Sequence, residues 1–344
     1  MITLKALSKN WIFQAFRESW NQKGIRRKLK HLKYRLLWDL RPMFKIAGNY
    51  PLAVDIEAHS RCNFRCVFCQ QTDEKYWGTQ EQQEMSWDTF KIIVDQCADI
   101  GVFSMKVNWR GEPLLNERIA DMIFYMKQMG IHEVMMNTNG SKLTPELADK
   151  LLSSGLDRII FSCDGVSKET YNKIRKGGDW HDFYSKVNMF SEKRQRRKAR
   201  GFDVPIIRIN IAVMEENHHE VPKFKEVFEG IADELRFNTL YNPQQSNKFL
   251  KSRRRKVKRK GCPQIYQRMI ISAEGDATVC CADYQKKLKS GNVNEIGIRD
   301  MYLTKQERIR DIHESHNARK LDGCKSCDLF ALSSKDDAGK ILWS

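Results

Sequence analysis

The sequence predicts an α/β protein: a partial (β/α)6 TIM-like barrel, followed by a small cysteine-rich α+β domain and preceded by a basic helical extension. Three observations lead there. From Pro51 onward, short β-branched or apolar runs alternate with longer helical patterns, which reads as successive βα units and therefore as parallel strands with helices on one outer side. Past Asn242 the chain turns polar, then strongly basic, and then carries five cysteines. Before residue 51, Trp11, Phe13, Phe16, Trp20, Trp38 and Phe44 interleave with Lys and Arg at helical spacing. The expected divisions are residues 1–50 (basic amphipathic extension), 51–242 (barrel), 243–260 (basic linker), 261–332 (cysteine-rich domain) and 333–344 (tail).

The 344 residues, 41% of them hydrophobic, suffice for a barrel with attachments. No stretch reaches the roughly 18 apolar residues that span a bilayer. Lys5, Lys9 and Asn10 break the pattern of a secretion signal. Ten cysteines in such a chain read as metal ligands in a reducing compartment, so the cytoplasm is the expected location. The net charge of +17 is uneven. Residues 1–50 hold twelve Lys/Arg against Glu18 and Asp39, and two further runs lie at 192–200 and 251–260, leaving a mildly acidic body. The extension suits packing on the barrel, contact with an anionic membrane surface, or, less well, RNA.

The first strand spans 53–58 and feeds a loop with three thiols, Cys62, Cys66 and Cys69. A helix near 86–100, capped by Ser86, leads to a second strand at 104–109. Helices near 116–129 and 144–154, each closed by a glycine, precede strands at 132–137 and 158–163. A long helix over 180–200 leads to a strand at 206–213, and a helix near 219–229 to the last, at 234–239. Barrels of this kind work at the carboxyl ends of their strands. Those ends carry the thiols, Arg110-Gly111-Glu112-Pro113, Thr138-Asn139-Gly140, Asp164-Gly165 and Glu215-Glu216-Asn217, all polar or glycine-bearing.

Three soft ligands within eight residues suit an iron-sulfur cube whose fourth iron is left open better than tetrahedral zinc, which takes four. The spacing C-x3-C-x2-C, with Phe68 before the last cysteine, resembles the signature of the radical S-adenosylmethionine (radical SAM) enzymes. Arg110-Gly111-Glu112-Pro113 is similar to that family's G-G-E-P, with Arg110 at the first glycine. Ser162-Cys163-Asp164-Gly165 is similar to its S-x-D-G, and Ile174 to Gly178 to its I-R-x-G-G. The resemblance implies that Cys62, Cys66 and Cys69 hold a [4Fe-4S] cluster chelated by SAM. It also implies that Phe68 lies against the adenine and that Gly111 and Glu112 receive the SAM ammonium. Ser162, Asp164 and Arg175 would then reach SAM's carboxylate or ribose, or the substrate, and Asn139 and Asn217 are further polar candidates in the barrel mouth. Strand alternation sets Cys163 on the opposite face, toward the helices.

The C-terminal thiols are Cys262, Cys280, Cys281, Cys324 and Cys327, with Glu274-Gly275-Asp276 as a hairpin tip between them. The pattern resembles the SPASM/Twitch extension of the same family, which implies auxiliary iron-sulfur clusters. Four thiolates saturate one cube, so five allow one auxiliary [4Fe-4S] cluster and a spare. We assign Cys262, Cys280, Cys324 and Cys327 as ligands and Cys281 as the spare, with Cys280 and Cys281 exchangeable. A four-cysteine zinc site is the alternative.

The resemblance thus implies an enzyme that cleaves SAM reductively and abstracts a hydrogen atom from its substrate. The products follow by oxidation through the auxiliary cluster, or by epimerisation with Cys281 as hydrogen donor. The basic runs favour an anionic substrate, such as a nucleotide- or lipid-linked sugar or related metabolite, over a peptide. An external one-electron donor of flavodoxin or ferredoxin type is implied. Two other classes fit parts of the sequence: a non-catalytic metal-cluster protein that binds RNA, and a methyltransferase, which has no use for the thiol triplet.

Overall fold

A computed structural model describes residues 24–72, 83–239, 262–325 and 327, together with Ala15 and Ser19. The basic run at 251–260, the tail at 333–344 and the aromatics Trp11, Phe13, Phe16 and Trp20 lie outside the described residues. Helix α1 (Ile25–Phe44) precedes β1 (Ala53–Ile56), α2 (Trp87–Ile100), β2 (Ser104–Lys106), α3 (Ile119–Gln128) and β3 (Glu133–Thr138). The barrel continues with α4 (Pro145–Ser153), β4 (Arg158–Ser162), α5 (Lys168–Ile174), α6 (Trp180–Ala199), β5 (Ile206–Val213), α7 (Lys223–Val227) and β6 (Glu234–Thr239). Beyond it come α8 (Gln264–Gln267), β7 (Arg268–Ile271), β8 (Asp276–Thr278), β9 (Lys289–Asn292), α9 (Ile298–Leu303) and α10 (Lys305–Glu314).

The nine strands form one open sheet in the order β6-β5-β4-β3-β2-β1-β7-β8-β9. Strands β1 to β6 pair in parallel with their sequence neighbours, and β7 adds to the free side of β1, also parallel. The sheet is the open, partial barrel that the βα alternation predicts. Helix starts are set chemically: the Ser86, Thr144 and Ser167 hydroxyls and the Asp179 carboxylate accept from first-turn backbone N–H groups. The helix expected over 219–229 is interrupted: a 3-10 turn at His218–Glu220 gives way to α7 after Pro222, which supplies no N–H to an earlier turn. The first and second strands stop at Ile56 and Lys106, short of their expected ends, because residues beyond them turn away to build loops. The tip at Glu274-Gly275-Asp276 does join an antiparallel pair, β7 and β8, with Gly275 at φ +90°.

Alternation sorts the strands. Val54, Ile56, Met105, Val134, Phe161 and Ile209 are fully buried in the core between sheet and helices. Their neighbours along each strand face the concave side. A second, smaller core under the C-terminal strands gathers Ile265, Tyr266, Val279, Leu288 and Ile309. Helix α1 crosses the amino-terminal mouth of the barrel: Tyr34 stacks on Phe103 at 4.3 Å, and the Trp38 ring lies 5.0 Å from the Arg268 guanidinium. Packing on the barrel thus accounts for this described part of the basic extension, although Ile25 and Leu29 face solvent. Among the described residues no helix is long and apolar enough to cross a membrane.

Near this floor His132 stacks on Phe103 at 5.1 Å, with the Lys30 Nζ 3.0 Å from its Nε2. Burial, then the charges of Lys30, Lys127 and Arg27, push its pKa down to about 4. The unfolded chain therefore takes up this proton first as pH falls below about 6.5, and folding stability drops toward pH 4. His132→Gln should lose that dependence. In thermal melts from pH 7 to pH 4 the gap between variant and parent is expected to move in the variant's favour.

Candidate active site

The cysteine loop is fixed by residues 174–178, the end of α5 and the turn after it. The Arg65 and Val67 backbone N–H groups donate to the carbonyls of Lys176 and Ile174, at 2.8 and 3.0 Å. The buried Phe64 ring rests on Gly178, where a Cβ would come within 2.7 Å of it. The glycine pair of Ile174 to Gly178 thus serves close approach to the thiol loop, a role the sequence reading did not give it. Within the loop Cys69 N–H donates to Cys66 O at 2.9 Å, and the Cys62 Sγ accepts from Phe64 N–H at 3.5 Å and from Asn139 Nδ2 at 3.9 Å.

Gly111 has a similar task. A Cβ there would lie 1.9 Å from the carbonyl of His59, so only glycine lets this loop meet the 59–61 backbone, where Glu112 N–H donates to Arg61 O at 2.9 Å. The Glu112 carboxylate, expected to receive an ammonium, is already engaged. It accepts from Leu114 N–H (3.1 Å), Thr138 Oγ1 (2.6 Å) and Asn139 N–H (2.8 Å), and is buried. Burial raises its pKa, and those three donors act against the rise. Asn139 also reaches Asn63 Oδ1 at 3.0 Å, so Glu112 and Asn139 tie three strand ends together beside Cys62.

Asp164 and Arg175 face each other instead of standing open: Arg175 Nε to Asp164 Oδ2 is 2.6 Å, and Asp164 Oδ1 accepts from Ala212 N–H. The same guanidinium lies 5.6 Å from the half-buried Phe68 ring. Ser162 is half-buried on the concave face, level with Asn210 of β5. Cys163 points into the helix-facing core, as alternation predicts. Asn217, a candidate for the mouth, is instead a buried staple that donates to the carbonyls of Asp164 and Ala212.

The first glycine position of the second motif holds Arg110, and the structure gives it a partner the sequence did not suggest. Its Nε and Nη2 contact the Glu57 carboxylate at 2.7 and 2.6 Å, with both side chains buried, and Nη1 donates to Tyr284 O at 3.1 Å. Trp109 Nε1 donates to Cys281 O at 2.8 Å.

All ten thiols are free. Burial pushes Cys62 up to about 11 and Cys66 up to about 12, with neighbouring thiols among the further causes, and burial raises Cys69. Crowded, desolvated thiols of this kind become thiolates only around a cation. Among the described residues no three His, Cys, Asp or Glu side chains converge on a point for one metal ion; in a cube each thiolate binds its own iron, so convergence is not required. The donor set therefore fits a cluster. In the C-terminal region Cys324 and Cys327 belong to the small second core, and Cys262 and Cys280 pack against it. Burial pushes Cys262 up to about 12. His313 Nε2 lies 3.4 Å from Cys324 Sγ, a neighbour with no signal in the sequence beyond a lone histidine. Cys281 differs: its thiol is lowered by a hydrogen bond from Cys280 and then by Arg268 and Lys106 of the concave face.

Residues 56–227, half of the chain, match the model of the Radical SAM superfamily. The chain belongs to the radical SAM superfamily. Residues 262–328 match the SPASM model, an iron-sulfur cluster-binding domain. A GTP 3',8-cyclase of Desulforamulus reducens is 28% identical over 184 residues, 53% of each chain, and a probable GTP 3',8-cyclase of Saccharolobus islandicus is 30% identical over 49% of this chain and 50% of its own. The chain spans about half the length of these curated relatives. Among solved structures, Streptococcus suis SuiB bound to precursor peptide SuiA has a TM-score of 0.64 at 14% identity, covering 94% of this chain and 82% of its own. BtrN in complex with AdoMet and 2-DOIA has 0.57 at 17%, covering 81% and 93%. This radical SAM enzyme accordingly uses [4Fe-4S] clusters and SAM, and needs a substrate and a reductant.

Glu112→Ala should leave three buried donors unpaired and cost about 3 kcal/mol or more in denaturant unfolding, while Glu112→Gln, which keeps the acceptor oxygen, should cost less than half of that. Gly178→Ala should push Phe64 aside and lower the iron retained after reconstitution by the 62–69 loop, with the C-terminal iron unchanged.

Proposed function

We propose that this radical SAM enzyme removes a hydrogen atom from a small anionic molecule in the concave face of its barrel and completes either an oxidation or an epimerisation. The observation that carries the proposal is the position of Cys281, hydrogen-bonded to Cys280 at the C-terminal thiols and within the field of the concave-face cations. Cys280 packs with Cys262, Cys324 and Cys327 against the small second core, while Cys281 feels Arg268, Lys106 and Asp55 of the concave face. When bound, the first cluster with SAM supplies hydrogen-atom abstraction, and an auxiliary cluster supplies an electron acceptor.

The residues divide the remaining work. Cys62, Cys66 and Cys69 hold the first cluster, and Cys262, Cys280, Cys324 and Cys327 the second. Glu112 positions the 110–113 loop and Asn139, whose amide sits beside Cys62, so that backbone carbonyls of the loop meet the SAM ammonium. Arg175, already turned toward Phe68, keeps its terminal nitrogens for SAM's carboxylate, and Asp164 aims it; Ser162 reaches toward ribose or substrate. For oxidation, a cluster held by Cys262, Cys280, Cys324 and Cys327 would supply the acceptor for the second electron, and solvent or a concave-face carboxylate would take the proton. For epimerisation, the Cys281 S–H returns a hydrogen atom, and an external reductant with a proton restores the thiol. The names of the curated relatives support an anionic substrate over a peptide, and a nucleotide-linked sugar or related metabolite is the class we favour. We place the enzyme in the cytoplasm, with a flavodoxin- or ferredoxin-type donor, on the strength of its free thiols.

Anaerobic reconstitution should load about eight irons, as two cubes require, and reduction should release 5′-deoxyadenosine that is lost when Cys62, Cys66 and Cys69 are all changed to Ala. Zinc in both sites would end the proposal. Turnover in D2O separates the two outcomes: deuterium in the product, lost in Cys281→Ala, marks epimerisation, and its absence marks oxidation.

A further inference from the structure

Beyond the thiols, the concave face carries charge that folding does not call for. The interior of a closed barrel is filled by Val, Ile and Leu. Here, beside Met135, Ile160 and Ile270, the concave positions include Asp55, Lys106, Arg158, Arg208 and Glu234, with Arg268 on β7. Each carboxylate is shared by two cations at a single oxygen. Glu234 Oε2 takes Arg158 Nη1 and Arg208 Nε, both at 2.5 Å; Asp55 Oδ2 takes Arg268 Nη1 at 2.8 Å and Lys106 Nζ at 3.6 Å. The Arg158–Glu234–Arg208 set carries one positive charge in excess, and so does the Lys106–Asp55–Arg268 set apart from the neighbouring Cys281 thiol. Glu133, held by Ser104 at the amino end, and Arg236, exposed beside Arg208, offset one another. Two guanidiniums on one oxygen repel, and burial with Arg158's charge lowers Arg208. Removing two cations from water to share one anion is costly unless a second anion arrives.

A second observation lies toward the carboxyl ends of the strands, where by register Asn137 is level with Ile160 and Arg208, and Asn210 is level with Ser162. Asn137 and Asn210 occupy concave positions on β3 and β5, and the side-chain oxygen of each is buried without a hydrogen-bond partner. An unpaired buried acceptor costs about 1–3 kcal/mol. Such atoms, level with or above an excess of cations and below the loops around Cys62 and Asp164, ask for a ligand with hydroxyl or N–H donors above an anionic group.

We propose that the Arg158–Glu234–Arg208 and Lys106–Asp55–Arg268 sets seat an oxyanion of the substrate, phosphoryl or carboxylate, toward the amino ends of the strands, with its donor-bearing part against Asn137 and its reacting part toward Ser162 and Asn210. This inference rests on the concave face being the substrate site. It adds which end of the substrate goes down and which residues hold it. Planar guanidiniums offer paired N–H donors to either oxyanion. Helix α1 floors the site, with Trp38 against Arg268, so the anion end has a fixed stop.

The test uses the full, reconstituted protein with SAM, titrated calorimetrically at fixed ionic strength with inorganic pyrophosphate in one arm and succinate in the other. Arg158→Gln and Arg208→Gln should each weaken the bound anion about tenfold or more. Glu234→Gln should strengthen it severalfold by freeing two cations, an effect no merely structural role would give. Arg196→Gln, the same charge loss on the exposed face of α6, should stay within about twofold of the parent. Pyrophosphate binding alone assigns a phosphoryl group, and succinate binding alone a carboxylate. The proposal is overturned if neither anion binds, if Arg158→Gln and Arg208→Gln match Arg196→Gln, or if Glu234→Gln weakens binding alongside them. Substrate-free 5′-deoxyadenosine release is read in the same samples: its absence in the parent protein rejects the proposed chemistry, while the titration still decides the anion site.

Discussion

The buried ion pair between Glu57 and Arg110 is the joint on which the chemistry depends. Glu57 ends the first strand's run toward the cysteine loop, Arg110 begins the loop that Glu112 anchors, and the same carboxylate receives the Ala273 N–H at the β7–β8 turn. One desolvated charge pair therefore sets the relative positions of the loops after β1 and β2 and the C-terminal thiol loop, which Arg110 also touches at Tyr284. Losing one partner of such a pair costs about 3–5 kcal/mol, because the survivor stays buried and uncompensated. The departure from glycine at this position is the substitution that links the two halves of the site.

Strand order and the parallel barrel were legible because apolar runs at period two, separated by capped helices, admit few arrangements. The thiols were legible because their spacing is local. What stayed hidden was pairing at a distance. Nothing in the sequence places Arg110 on Glu57 or Arg175 on Asp164, so residues read as open ligands of SAM turn out to be partly committed to one another. Alternation identified a polar face on each strand, yet it could not show that Lys106, Arg158, Arg208 and Arg268 crowd two carboxylates. That follows from register between strands distant in sequence. Spacing likewise does not separate Cys280 from Cys281, adjacent thiols that hydrogen-bond to each other.

Glycine carries an unusual share of the site. Gly111 and Gly178 lie where the chain passes so near its own backbone or the Phe64 ring that a methyl group has no room. Both approaches press segments together around the first three thiols. The loop is thus held mainly by main-chain bonds, and its side chains remain available for iron and SAM.

Strand β7 completes the picture. Ala53 pairs with Arg268 and Ile56 with Ile271, so the strand that launches the cysteine loop is bordered on one side by sequence made soon after it and on the other by sequence made only after all six barrel strands. During synthesis one edge of β1 waits, unpaired, until the barrel strands and the segment beyond them have left the ribosome. Unpaired edges invite association with other chains. The cell must therefore carry this enzyme through a long vulnerable interval before its sheet, and with it the first thiol site, can close.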